Sequence, residues 1–148
     1  MKVMKYSKTI NADPRIVNKV IQEQNLAYFQ NYDSKVEKLK TGLKVRRTFQ
    51  TKTNRENIPG YSKLTHLDES CIELKHCSAD SEIVNTYQIE PSENGTKLTY
   101  CEANTFKNAS REINFSLVSI VYRFFFNRHM KQVFSWIEKT SLEKEGAL

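Results

Sequence analysis

Apolar residues follow two rhythms along this chain. From Leu43 to Phe106 they fall on alternate positions. Leu43, Val45, Phe49 and Thr51 share one face, followed by Ile72 with Leu74, then Ile83, Tyr87 and Ile89, then Leu98, Tyr100 and Phe106. A period of two marks strands with one buried face. Ile58-Pro59-Gly60 leads into a further strand, Tyr61 to Leu67. Asp68-Glu69-Ser70 and Ser92-Glu93-Asn94-Gly95 are turn chemistry, and Asn-Gly is a strong hairpin signal. Short connections between successive strands predict an antiparallel meander.

Both ends differ from this middle. Lys2 to Ile10 reads as extended. Asp13 then caps a helix with Pro14 at its first position, and Ile16, Val17, Val20 and Ile21 follow at helical spacing. A second short helix or turn is expected over Leu26 to Tyr32. The last third is helical throughout. Ser110 is the expected N-cap, with Glu112 in the first turn. Phe115, Val118, Tyr122, Phe125, Phe126, His129, Val133, Trp136 and Ile137 step by threes and fours. That is one stripe over about six turns, and it predicts Phe125 and Trp136 buried against a sheet. The expected architecture is α+β: a curved antiparallel sheet of about six or seven strands around a long C-terminal helix. One or two short N-terminal helices complete a single domain over 1–148.

The order of elements, the opening "KTINADPRIV" and the terminal helix resemble the START-like, birch-allergen-like superfamily, also called SRPBCC. More narrowly, "NTYQIEPSENGTKLTYCE" followed by a Phe-rich helix resembles a small uncharacterised family of Gram-positive bacteria. The resemblance implies a helix-grip fold with a cavity between sheet and helix that often holds an apolar ligand. It implies no particular reaction, because one fold carries many functions.

Alternation puts unexpected residues on the apolar strand faces. Arg47 accompanies Val45 and Phe49, His76 accompanies Leu74, and Asn85 accompanies Ile83 and Tyr87. Glu102 follows Tyr100 on the face of Leu98. With Tyr122 and Phe125 from the helix, these eight residues (Arg47, His76, Asn85, Tyr87, Tyr100, Glu102, Tyr122, Phe125) are the candidate ligand-binding set. An apolar body with a few polar anchors is the usual make-up of a small-molecule site. The competing reading puts these residues near strand ends, in water. A buried charge needs a partner, so Arg47 is expected to pair with Glu102, and an anionic ligand group is expected near Arg47.

No catalytic residue is assigned. The chain has no nucleophile elbow, HExxH, P-loop or GxGxxG. Glu102 with His76 and two tyrosines leaves a cyclase- or hydrolase-like enzyme as an alternative. His66, His76 and His129 lack ligand spacing with the cysteines, so neither metal nor cofactor is expected. His129, on the stripe, is expected in the core.

Ile113, Leu117, Ile120, Val121 and Phe124 form a second apolar strip on the terminal helix. The plain reading covers it with the N-terminal helices or the segment after Phe106. The alternatives are a homodimer interface, a flexible wall at a ligand entrance and a membrane-touching patch.

Composition changes this picture little. The 148 residues are 39% hydrophobic and 27% charged, a globular balance. The net charge of +6 is uneven: Lys35 to Arg55 is basic, Asp68 to Glu102 acidic. The basic stretch keeps an interaction module open, through protein, anionic lipid or nucleic acid. A solvated strand face is the weightier reading, and nucleic acid is not the expected partner. Phe115 to Phe126 is broken by Ser116, Ser119 and Arg123, so no integral membrane segment is expected. The N-terminus lacks an export-type apolar run, and Cys71, Cys77 and Cys101 form no CxxC. A cytoplasmic location with reduced cysteines is therefore expected.

Overall fold

The structure is a computed structural model. It describes residues 2–50, 57–106 and 109–147, with side chains in the last stretch from 121 onward. The order is β1 (Lys2–Ile10), α1 (Pro14–Tyr32), β2 (Lys44–Phe49), β3 (Ile58–Leu67), β4 (Cys71–Ser78), β5 (Ser81–Ser92), β6 (Gly95–Phe106) and α2 (Ala109–Gly146). The strands make one six-stranded antiparallel sheet in the order β1-β6-β5-β4-β3-β2. It curves around α2, with α1 beside it: the helix-grip arrangement.

The first helix starts as its sequence dictates. Asp13 accepts a hydrogen bond from the Arg15 amide at 2.8 Å, and Pro14 fills the first helical position. The expected break before Leu26 does not occur, and α1 is one helix of 19 residues. Gln22, Glu23, Gln24 and Asn25 interrupt its apolar stripe, yet Gln and Glu are good helix formers. The stripe is polar there because the helix fronts a cavity and solvent, not because the backbone stops. Similarly α2 begins at Ala109, so Ser110 lies inside it and is not its cap.

The hairpin between β5 and β6 depends on Gly95. Its φ is +148°, and a Cβ there would come within 2.2 Å of the Ile10 carbonyl oxygen. Only glycine lets the β1–α1 connection cross this turn so closely. Thr96 then donates to the Ala12 carbonyl at 2.7 Å.

The core corrects the phase of the terminal helix. Among its described side chains, Phe126, Met130, Phe134, Ile137 and Ser141 are the buried positions. They step by four, four, three and four, so the packed face is rotated about one position from the expected stripe. Trp136 lies on the shoulder of that face and is 47% exposed, while Phe125 is 56% exposed and His129 is also exposed. The aromatic residues around α2 outnumber what one face can hold, and Met130 and Phe134 take the sheet side. Phe134 meets Tyr6 of β1 edge to face at 4.8 Å between ring centres.

Carboxylates hold the same half of α2 in place. Glu138 and Glu145 accept from the Asn11 and Asp13 amides at 2.9 and 2.6 Å, and Lys144 pairs with Glu23 at 3.0 Å. Among the described residues, no helix is long and apolar enough to cross a membrane.

The phase is testable by urea unfolding. Phe134→Ala should lose about 3–5 kcal/mol, as for a deleted buried aromatic. Trp136→Ala should lose about 1 kcal/mol, nearer to surface behaviour. The reverse order would put the packed face back on the stripe expected from sequence.

Candidate functional site

Sheet register brings most of the candidate set to one place. Tyr87 faces Tyr100, Asn85 faces Glu102, and His76 faces Ile83 across neighbouring strands. Residues paired across strands share a face, so His76, Asn85, Tyr87, Tyr100 and Glu102 all project from the concave side. With Leu74 they form the floor of a cavity of about 550 Å³. Tyr122, Phe125, Phe126, His129, Met130 and Val133 of α2 form one wall, and Gln24, Asn25 and Tyr28 of α1 the other. Seven of the eight candidates therefore line one cavity.

Arg47 is the exception. It does not line the cavity, and the expected Arg47–Glu102 pair does not form. Three strands separate β2 from β6, roughly 19 Å along the sheet at about 4.8 Å per strand. Arg47 instead donates to the Tyr28 hydroxyl at 2.5 Å. Its guanidinium stacks over Phe49 at 4.1 Å and near Tyr32 at 5.1 Å. Gly60, its cross-strand partner, makes this possible: a Cβ there would lie 2.6 Å from the Phe49 ring.

From Arg47 a polar chain runs into the cavity. The Tyr28 hydroxyl lies 2.9 Å from Ser62 Oγ, Ser62 Oγ lies 2.6 Å from His76 Nδ1, and His76 Nε2 lies 3.1 Å from Asn85 Nδ2. Burial, with the Arg47 charge nearby, pulls His76 down to about 4, so its ring is neutral at pH 7. A serine, a neutral histidine and an amide in sequence resemble a nucleophile with its base. Ser62, however, is wholly buried and outside the cavity lining, so no substrate in the cavity meets it. The chain is a structural network that satisfies polar groups under the sheet.

Glu102 anchors the other end. It accepts from the Tyr122 hydroxyl at 3.1 Å and from the Tyr100 hydroxyl and Asn104 Nδ2, each at 3.4 Å. Burial, reinforced by Glu102, pushes Tyr122 up to about 12, and burial also raises Tyr100 and Tyr87. These tyrosines remain donors across the physiological range. The rings pack as a group: Tyr87 and Tyr100 are 4.9 Å apart, Tyr100 and Phe126 5.9 Å.

Sequence reasoning missed Tyr28, Ser62, Gln24, Asn25 and Met130. Two of them carried a readable signal. Tyr28 extends the helical series Val17, Ile21, Gln24, and Ser62 alternates with Leu64. Of the second strip, Val121 and Phe124 are exposed at 60% and 64%, whereas the side chains of Ile113, Leu117 and Ile120 lie outside the described residues. His66 pairs with Asp68 on the surface and takes no part in the cavity.

A second groove, about 840 Å³, lies where α1 begins, between Asp13, Asn18, Asp68 and Pro91. It is larger, but Asn18, Asp13 and Asp68 in its lining are engaged within the fold. Asn18 Nδ2 donates to the Asp68 and Glu69 carbonyls at 3.0 and 3.1 Å, Asp13 pairs with Arg15, and Asp68 accepts from the Ser70 and Cys71 amides. The cavity under α2 is therefore the stronger candidate.

No family model and no curated protein matches the chain. Solved structures do match, over nearly the full length of both partners. TTHA0849 from Thermus thermophilus superposes with a TM-score of 0.61 at 13% identity, covering 97% of this chain and 99% of that one. A protein of unknown function from Staphylococcus aureus, SA2116, gives 0.60 at 14%, with 96% of each covered. Ara h 8.0201 gives 0.58 at 12%, covering 96% and 98%. The chain shares the helix-grip fold with these proteins. Their spread across distant sources does not single out one Gram-positive family, and identities this low speak for fold alone.

The buried histidine makes stability depend on pH. In the unfolded chain His76 titrates near 6.5, and in the fold near 4. As pH falls from about 6.5 to about 4 the unfolded state binds the proton first, so stability is lost on acidification, by about 3 kcal/mol at most. His76→Gln should remove this part of the acid loss in urea melts at pH 7 and pH 4. An unchanged difference between the two pH values would show that His76 titrates normally.

Proposed function

We propose that this protein binds a small, partly apolar molecule in the cavity between the sheet and α2, with His76, Asn85, Tyr87, Tyr100, Glu102, Tyr122 and Phe125 as its contacts. The observation carrying this reading is the cavity itself. Its volume of about 550 Å³ lies within the range of ligand sites, and its make-up of aromatic and aliphatic walls with few polar groups suits them. The half-exposed Phe125 and exposed His129 stand at its mouth, where a ligand would cover them. An enzyme using the same cavity is the weaker reading, since the one arrangement resembling a nucleophile and base has its serine buried away from the space.

Titration with the neutral fluorophore N-phenyl-1-naphthylamine tests the proposal. The protein should show saturable, one-to-one binding. Val133→Trp, which fills the cavity from α2, should weaken it by about tenfold or more while melting as a folded protein. Failure of the wild type to saturate, or equal affinity in the filled variant, would remove the cavity as the binding site.

A further inference from the structure

The charges around the cavity are one-sided. Among the described residues that line it, Glu102 is the only carboxylate, and none is a lysine or arginine. Its two histidines are His76, whose ring is kept neutral by burial, and His129 at the mouth. Arg47 lies outside the lining, committed to Tyr28 and stacked on Phe49. Glu102 forms no ion pair among the described residues. Its three donors, Tyr122, Tyr100 and Asn104, sit at 3.1, 3.4 and 3.4 Å. Hydroxyl donors to a carboxylate normally approach to about 2.5–2.7 Å and N–H donors to about 2.7–3.2 Å, so these bonds are long. A carboxylate can accept about four, which leaves room for a strong donor from the cavity. The rings of Tyr87, Tyr100 and Phe126 line the same cavity, and aromatic rings attract cations.

We infer that the cavity selects a ligand with an aromatic or aliphatic body and a cationic amine head, the ammonium set against Glu102 and the body against the neighbouring rings. The inference rests on the cavity being a binding site. It reverses the expectation, drawn from sequence, of an anionic group near Arg47, because Arg47 lies outside the cavity lining, donating to Tyr28 and stacked on the Phe49 ring. An ammonium offers Glu102 the charge partner that the fold withholds, and a carboxylate head would meet a like charge.

Three probes with one body and different heads test this: 4-phenylbutylamine, 4-phenylbutan-1-ol and 4-phenylbutanoate, titrated calorimetrically at pH 7 in low salt. The amine should bind about tenfold or more tighter than the alcohol, and the carboxylate weakest. Glu102→Gln should abolish the amine's advantage over the alcohol. Tyr122→Phe, which spares the charge, should keep the order. Equal affinities for all three, or a preference for the carboxylate, would overturn the cationic head while leaving the cavity reading in place. An amine preference that survives Glu102→Gln would overturn it too. Binding of none of the three would sink the cavity reading and this inference with it.

Discussion

The shape of the cavity follows from how the C-terminal half of α2 is seated. Phe134 is fully buried against Tyr6, and Ile137 is buried one turn further on. Glu138 and Glu145 fasten the same half to the β1–α1 connection by accepting its free amides. A fully buried phenylalanine supplies about 3–5 kcal/mol against truncation, while the exposed ion pair Lys144–Glu23 adds at most a fraction of that. Apolar packing therefore decides where the helix lies, and the polar contacts fix its register. The segment from Tyr122 to Val133 lies over the cavity and does not fill the space between itself and the sheet.

That mismatch explains why polar residues occupy an apolar face. Where the two helices close on the sheet, inward positions are Ile10, Ile89 and Leu98, all essentially inaccessible. Where α2 stands off, the same alternation delivers His76, Asn85, Tyr87, Tyr100 and Glu102. These polar residues fall into two groups: the Arg47–Tyr28–Ser62–His76–Asn85 chain at one side, and the tyrosines with Asn104 around Glu102 at the other. Buried polar networks are costly unless satisfied. The exceptions, Arg47 Nε and Asn85 Oδ1, lie along the first chain. The acid sensitivity of His76 and the receptiveness of Glu102 both follow from this arrangement.

Strand alternation was legible in the sequence because a sheet with one buried face strictly specifies register. Alternation and the observed strand pairings agree that His76, Asn85, Tyr87, Tyr100 and Glu102 share one face. Helix phase was less legible, because α2 carries aromatic residues nearly all round, and periodicity cannot choose among overlapping stripes. Hence Trp136 was expected inside and Met130 overlooked. The continuity of α1 was hidden because polar residues facing a cavity look like a break. Pairing between Arg47 and Glu102 could not be judged without strand order: both share a face, and the sheet's width keeps them apart.

The proposed binding has two candidate spaces: the cavity under α2 and the larger groove at the start of α1. Intermolecular nuclear Overhauser contacts to bound N-phenyl-1-naphthylamine distinguish them directly. Binding under α2 predicts contacts from the probe to the rings of Tyr87, Tyr100 and Phe126 and to the methyls of Met130 and Val133. Contacts instead to Leu67, Ile89 and Pro91, beside Asp13 and Asn18, would contradict it.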